Sequence, residues 1–246
     1  MFTDSHCHLT GEYYDDISKE LEDAKKNSVT RLINIGCDST SMKEVIATTS
    51  KHKNIYCAIG IHPNELGKSI KQDYEYLKKH LNECIAIGEI GLDYHYEHDK
   101  KAQKLWFEKQ LDLAQETNKP VIIHSRDATK DTIDILKKYK LKGIVHSFSG
   151  SYETALEYIK LGYILGINGV ITFKNSKLSD VISKLSLEYI VLETDAPFLT
   201  PHPYRGEKNS PKHIKIIAEY ISNLKGISLE ELGRITNENL KRVFDI

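Results

Sequence analysis

Long hydrophobic runs are missing from this sequence of 246 residues. Because no stretch of about 18 consecutive apolar residues occurs, we expect no membrane-spanning helix. The amino terminus also lacks a basic segment followed by an apolar one, so we expect no secretory signal. Linkers rich in Pro, Gly or Ser are lacking as well. The length therefore favours a single domain over residues 1–246.

Cysteine is scarce, and there is no excess of charge of one sign. The four cysteines, Cys7, Cys37, Cys57 and Cys84, never form a C-x-x-C pair. We therefore expect reduced, partly buried thiols in a cytoplasmic protein and no disulfide framework. The formal net charge is −1, whereas a protein that coats duplex DNA usually has a strongly basic face. Any nucleic acid would thus be engaged locally, in a cleft.

The sequence does contain short apolar, β-branched runs that alternate with helical patterns. Strands are predicted over residues 2–9, 30–36, 55–62, 84–92, 120–125, 143–148, 163–171 and 189–197. Helices are predicted near residues 15–27, 40–51, 71–82, 98–117, 128–139, 151–161, 175–185, 211–224 and 228–244. N-cap signals stand at Ser39-Thr40-Ser41, at Ser151 and at Ser228.

Eight such β–α units predict an α/β fold, a (β/α)8 TIM barrel with an extra C-terminal helix. A doubly wound open sheet is the alternative, but no G-x-G-x-x-G motif follows the first strand. In a parallel barrel the carboxyl ends of all strands meet on the face that carries the chemistry.

Metal-binding residue types recur late in the predicted strands. His6 and His8 flank Cys7 and therefore point to the same face of the first strand. Later strand ends carry His62, Glu89, His124, His146 and Asp195. Any one of these could be a rim residue held by hydrogen bonds. Convergence of His6, His8, Glu89, His124, His146 and Asp195 on one face nevertheless predicts a metal site.

Six ligands exceed the three that one catalytic zinc takes from protein, so we expect two divalent cations, Mg²⁺, Mn²⁺ or Zn²⁺. Glu89 is assigned as the bridge between them. One ion would take His6, His8, Glu89 and Asp195, and the other Glu89, His124 and His146. The positive charge that remains suits a phosphodiester substrate. Asp195 is the candidate base for the attacking water, with a role as ligand only as the alternative.

Six motifs carry a resemblance to a known family. Residues 4–9 (DSHCHL), 60–63 (GIHP), 88–94 (GEIGLDY), 124–128 (HSRDA), 146–150 (HSFSG) and 193–199 (ETDAPFL) are similar to the TatD family of metal-dependent deoxyribonucleases. The resemblance implies a TIM-barrel hydrolase with two divalent cations that acts on DNA, commonly as a 3′–5′ exonuclease. The metal ligands of the family fall on the six positions above. In the loop 203–211, Glu207 and Ser210 replace a basic and an acidic residue, which puts the substrate preference in question.

Two residues at the mouth of the predicted barrel, its opening at the carboxyl ends of the strands, have alternative interpretations. His62 is a candidate substrate-phosphate ligand or a hydrogen-bonding rim residue. Arg126 shares the face of His124 and could grip a phosphate, or form a salt bridge to Asp93 or Asp127.

Residues beneath and beyond the ligands also have more than one interpretation. Glu193 lies one layer beneath Asp195, and we expect it to hydrogen-bond a ligating imidazole and fix its tautomer. Three aromatic residues that follow strand ends could stack on unpaired bases, although packing under loops is the favoured interpretation: Tyr94, Phe148 and Phe198.

Two other function classes remain open. An amidohydrolase-like lactonase, phosphotriesterase or deaminase shares the H-x-H opening, but such sites generally use a modified lysine where Glu89 stands here. A non-catalytic nucleic-acid-binding metalloprotein is the third possibility. For the deoxyribonuclease we expect single-stranded DNA or frayed ends as substrate. We expect no association with a membrane and no obligatory protein partner.

Overall fold

The computed structural model describes residues 1–67 and 70–246 and contains an eight-stranded parallel sheet with its strands in chain order. This arrangement confirms the predicted (β/α)8 barrel. The strands are β1 (Phe2–Cys7), β2 (Val29–Gly36), β3 (Ile55–Ile59), β4 (Ala86–Asp93), β5 (Val121–Arg126), β6 (Gly143–Val145), β7 (Tyr163–Ile167) and β8 (Ile190–Leu192).

Helices follow the strands along the chain in the predicted order. They are α1 (Ile17–Lys26), α2 (Ser39–Lys51), α3 (Ile70–His80), α4 (Lys100–Thr117), α5 (Thr129–Leu136), α6 (Tyr152–Lys160), α7 (Leu178–Lys184), α8 (Ile214–Lys225) and α9 (Leu229–Phe244). Within residues 1–67 and 70–246, no helix combines the length and the apolar character needed to cross a bilayer.

Two details of the predicted elements were wrong. The N-cap of α2 is Asp38, whose carboxylate accepts from the Ser41 N–H at 2.7 Å in a capping box, so the helix already includes Ser39. The predicted caps of α6 and α9, Ser151 and Ser228, are confirmed. The strands predicted to reach residues 62, 148, 171 and 197 end earlier, because the chain leaves the ladder to form the loops of the mouth.

The thiols are free, as expected from the cysteine spacing. Cys7, Cys57 and Cys84 are buried and Cys37 is partly buried. Cys57 Sγ and Cys84 Sγ lie 3.3 Å apart without a bond between them.

An apolar cluster fills the inside of the barrel. The cluster consists of inward-facing strand residues, namely Ile33, Ile35, Ala58, Ala86, Ile122, Ile144, Ile164 and Val191. Leu240, Val243 and Phe244 of α9 pack onto the same cluster. The α9 side chain Asn239 donates to the Leu187 and Ile190 carbonyls at 2.7 and 2.8 Å, which places this helix at the amino end of β8. The opposite, carboxyl end of the barrel is left for polar residues.

The barrel closes between its first and last strands just beyond the end of β8. The Asp195 N–H donates to the His6 carbonyl at 2.9 Å, and the His8 N–H donates to the Ala196 carbonyl at 2.7 Å. Below them the Asp4 carboxylate accepts from the Thr194 N–H and hydroxyl at 2.9 and 2.5 Å. Closure therefore brings residues near both ends of the chain into contact.

Gly91 allows β4 and β5 to approach closely. Its φ is +150°, and a Cβ there would lie 1.9 Å from the His124 carbonyl oxygen. We expect Gly91→Ala to lower the free energy of unfolding by about 2–4 kcal/mol, through overpacking and an unfavourable φ. Gly11→Ala is the matched control, since a Cβ there would meet nothing closer than Glu44 Oε2 at 3.6 Å. Equal urea midpoints for the two variants would contradict this account.

Candidate metal centre

The candidate centre is the polar layer directly above the apolar cluster of the barrel. Because side chains alternate along a strand, the residues two positions beyond the apolar ones point into the same interior. These next inward positions are His124 after Ile122, His146 after Ile144, and Glu193 and then Asp195 after Val191. The loops after the strands cover this layer, so its ligands are mostly buried.

A first group of ligand atoms surrounds the Nε2 atom of His6. This atom lies 3.2 Å from His8 Nε2, 3.2 Å from Glu89 Oε2 and 3.7 Å from Asp195 Oδ1. His8 Nε2 lies 3.5 Å from Asp195 Oδ1 and 3.8 Å from Glu89 Oε2. A tetrahedral site with metal–ligand bonds of about 2.0–2.1 Å has ligand–ligand edges of about 3.3–3.4 Å. The ligand atoms of His6, His8 and Asp195 lie within 4.8 Å of one another and could hold one divalent ion, and Glu89 Oε2 lies within 3.8 Å of both histidines.

A second group meets the other oxygen of the same carboxylate. Glu89 Oε1 lies 2.6 Å from His124 Nδ1 and 2.6 Å from His146 Nε2, and these two nitrogens are 3.1 Å apart. His62 Nε2 is 3.5 Å from the same oxygen. The carboxylate of Glu89 thus faces one set of imidazoles with each of its two oxygens.

The ionisable groups of the centre are of the kinds that hold a divalent cation. Burial raises the pKa of Glu89, but the surrounding imidazoles, His146 foremost, hold that pKa well below its usual range. Burial lowers the pKa of His124, yet Glu89 and Asp93 raise it to about 9. Burial lowers the pKa of His6 to about 4, so its ring is neutral at pH 7. An ionised carboxylate among buried imidazoles is the donor set that Zn²⁺ or Mn²⁺ accepts.

The six residues predicted as metal ligands come together in these two groups. The Asp195 backbone adopts a left-handed conformation, with φ of 57°, that leaves its carboxylate beside His6 and His8. His62 makes the hydrogen bond predicted for a rim residue, and phosphate contact by His62 stays a prediction. Its Nδ1 accepts from the Asn64 N–H at 3.1 Å within the rim, while Nε2 faces the centre.

Arg126 is placed at the mouth, as its position after His124 predicts. Its side chain is exposed, and its guanidinium lies 5.5 Å from the centre of the Tyr96 ring. Among the described residues it forms no ion pair with Asp93 or Asp127. Asp93 faces His124, and Asp127 lies 3.2 Å from His95 Nδ1. Phosphate binding by Arg126 stays a prediction.

Glu193 lies beneath the centre, but it does not make the predicted hydrogen bond to an imidazole. Its Oε1 is 3.7 Å from His146 Nδ1, which is too long, and accepts from the Ser147 N–H at 2.5 Å. A Cβ on Gly166 would lie 2.0 Å from Glu193 Oε2, so glycine is needed at that position to leave room for the carboxylate. Glu193 therefore supports His146 through the backbone of the next residue.

The residue that sequence reasoning missed is Asp93. Its Oδ2 lies 3.4 Å from His124 Nε2 and accepts from Asn64 Nδ2 at 3.0 Å, while its Oδ1 accepts from the His95 N–H at 2.9 Å. Burial raises the pKa of Asp93, but its bonds to His124, Asn64 and His95 hold it well below its usual range. The available signal was its spacing of four residues from Glu89, which places both on one face of β4.

The profile of the TatD related DNase family matches residues 3–245 of this sequence. The chain belongs to this family. It is 41% identical over 254 residues to YabD of Bacillus subtilis (strain 168), an uncharacterized metal-dependent hydrolase, with 100% of both chains covered. YcfH of Escherichia coli (strain K12), also an uncharacterized metal-dependent hydrolase, is 34% identical over 261 residues, with 100% of this chain and 96% of YcfH covered.

The fold of this TatD-family chain also agrees with a solved relative. The crystal structure of YjjV, a TatD homolog from Escherichia coli K12, superimposes with a TM-score of 0.94 at 30% identity. The match covers 100% of this chain and 98% of YjjV. The relatives are metal-dependent hydrolases, and the centre of this chain has the donor atoms that such chemistry requires.

Asp93 should affect metal binding through His124. A carboxylate behind a ligating imidazole fixes its ring and raises its basicity, so we expect Asp93→Asn to weaken Mn²⁺ or Zn²⁺ binding about 10- to 100-fold. Asp127→Asn is the matched control, because Asp127 is exposed and contacts His95. Calorimetric titration of chelator-treated protein measures both variants. Wild-type affinity in Asp93→Asn would show that the 3.4 Å contact does not matter.

Proposed function

We propose that this TatD-family hydrolase is a deoxyribonuclease that hydrolyses DNA phosphodiester bonds at a two-metal site, acting as a 3′–5′ exonuclease. The observation that carries the proposal is the placement of Glu89, whose two oxygens face separate groups of imidazoles. Such a carboxylate can bridge two ions, the arrangement used to stabilise both the attacking and the leaving oxygen of a phosphoryl group. His6, His8, Glu89 and Asp195 would hold one ion, and Glu89, His124 and His146 the other.

Charge supports a phosphodiester as the substrate. Bound divalent ions would lower the pKa of water and offset the charge of a phosphate. The two ligating carboxylates, Glu89 and Asp195, cancel only part of the ions' charge when the imidazoles are neutral. Arg126 adds a cation at the mouth, where it can reach a phosphate without leaving solvent.

Asp195 is the carboxylate best placed to accept a proton from the attacking water. It is 9% exposed, whereas Glu89 is 3% and Glu193 is 0% exposed, so it is the one nearest the mouth. Its pKa lies below the usual range, because hydrogen bonding to His8 and nearby imidazoles outweigh the effect of burial. The group is therefore ionised and ready to accept.

The competing functions fit the centre less well. A lactonase or phosphotriesterase of the amidohydrolase type would need a modified lysine as the bridge, and Glu89 occupies that place. A binding module without turnover would not need a buried donor set of this completeness.

The substrate class can be tested directly with metal-reconstituted protein. We expect it to shorten a labelled single strand and the 3′ tail of a DNA duplex, and chelated protein to leave both intact. A lactone and a phosphotriester assayed beside the DNA should be hydrolysed far more slowly. Activity confined to those two compounds would overturn the proposal in favour of the amidohydrolase alternative.

The bridging role of Glu89 predicts a coupled loss of metal and activity. We expect Glu89→Gln to reduce the bound metal below that of the wild type and to lower kcat at least about 100-fold, because both ions lose a charged ligand. Glu83→Gln is the control, since Glu83 pairs with His80 away from the centre, near the amino end of β4. Metal analysis and DNA hydrolysis by the same preparations measure both effects. Full activity of folded Glu89→Gln would refute the bridge.

A further inference from the structure

An exposed aromatic ring borders the metal centre. Phe198 is 47% exposed, although phenylalanine is more often buried. Its ring centre lies 6.1 Å from that of His8 and 5.6 Å from that of Tyr13, edge-to-face in both pairs. Since His8 Nε2 is one of the ligand atoms, a group attached to a phosphate at the centre would reach the Phe198 ring.

Neither of the other two aromatic candidates is available for stacking. Phe148 is buried and packs edge-to-face on Tyr158. The Tyr94 hydroxyl donates to Asp131 Oδ2 at 2.8 Å, and Lys100 lies over its ring. For these two residues the structure confirms the interpretation of packing under loops, and it leaves Phe198 as the candidate.

The turn that presents Phe198 is held in a strained conformation. Asp195 and Leu199 have φ angles of 57° and 53°, a region that is unfavourable for a branched side chain such as leucine. The buried Asn209 secures the turn. Its Nδ2 donates to the Phe198 carbonyl at 2.5 Å and its N–H to the Pro197 carbonyl at 3.0 Å. The backbone that carries the ring is therefore held beside the centre by these hydrogen bonds.

Charge differs between the two sides of the mouth. The ammonium of Lys208 donates to the Tyr13 carbonyl at 2.6 Å and therefore lies near the Tyr13–Phe198 pair. A cavity of about 360 Å³ between the loops after β2, β3 and β4 includes three carboxylates in its lining, Asp38, Glu65 and Asp99. A chain of phosphates is repelled from that cavity and favoured beside Lys208.

We propose that Phe198, with Tyr13 at its edge, is the stacking surface for the base of the nucleotide next to the phosphate bound at the metal centre. This inference rests on the proposed deoxyribonuclease function. It adds the residue that would make the enzyme prefer unpaired nucleotides. An aromatic face beside a cation is the usual means of binding single-stranded nucleic acid without reading its sequence. In an intact duplex the faces of a base are covered by its neighbours. The surface therefore selects unpaired or frayed nucleotides.

The test compares two single strands that differ only in their bases. One is an oligothymidylate, and the other carries abasic nucleotides at the last two positions of both ends. We expect Phe198→Ala to lower kcat/KM of the metal-reconstituted protein for the intact strand about 5- to 100-fold. The rate on the abasic strand should not change. Phe198→Trp should retain the preference for the intact strand.

Tyr220→Ala provides the matched control, because Tyr220 is 38% exposed and its hydroxyl bonds Ser179, on α8 and away from the metal centre. It should leave both rates unchanged. An equal loss on both strands in Phe198→Ala would mean that the ring acts by positioning His8, and would overturn the stacking proposal. No loss on either strand would overturn it as well, while leaving the deoxyribonuclease function intact. If the wild type cleaves neither strand, the deoxyribonuclease proposal itself fails, and the stacking surface with it.

Discussion

Two backbone hydrogen bonds across the seam between β1 and β8 join the fold to its chemistry. They link Asp195 to His6 and His8 to Ala196, and they close the barrel at the level where the ligand atoms lie. The Asp4 carboxylate, bonded to Thr194 beneath them, secures the same seam from inside. The contacts that close the barrel therefore also bring Asp195 beside His6 and His8. A barrel left open at this edge would separate Asp195 from the two histidines.

The other half of the centre depends on the close contact of β4 with β5. The register of the two strands shifts between Ile87 and Ile90, around Glu89, and Gly91 lets the His124 backbone approach. This irregularity turns the carboxylate toward the middle of the barrel, where both of its oxygens find imidazoles. Because this layer is buried and its local dielectric is low, each of these contacts is stronger than it would be in water. Above this layer the exposed side chains include the aromatic Phe198 and the cationic Arg126.

Much of the centre could be predicted because a parallel barrel gathers all strand ends on one face. The alternation of side chains along the strands was enough to predict that His124, His146 and Asp195 lie in one layer. It could not reveal that Asp93 faces His124 and not Arg126, because that pairing depends on the register between β4 and β5. Nor could it show that Glu193 Oε1 stays 3.7 Å from His146 Nδ1 and accepts a hydrogen bond from the Ser147 N–H. Strand ends were overestimated where apolar residues continue into the loops of the mouth.

The sequence by itself determined the number and order of the β–α units, the residues that are candidate ligands and the face on which they meet. These features follow from hydrophobic periodicity and residue chemistry, which act over a few neighbouring positions. Only the tertiary structure decided which Glu89 oxygen meets which imidazole, how the seam holds Asp195, and that Phe198 is exposed while Phe148 is buried. Those outcomes depend on ångström-scale register and packing between segments far apart in the chain, and local sequence patterns carry no such distances.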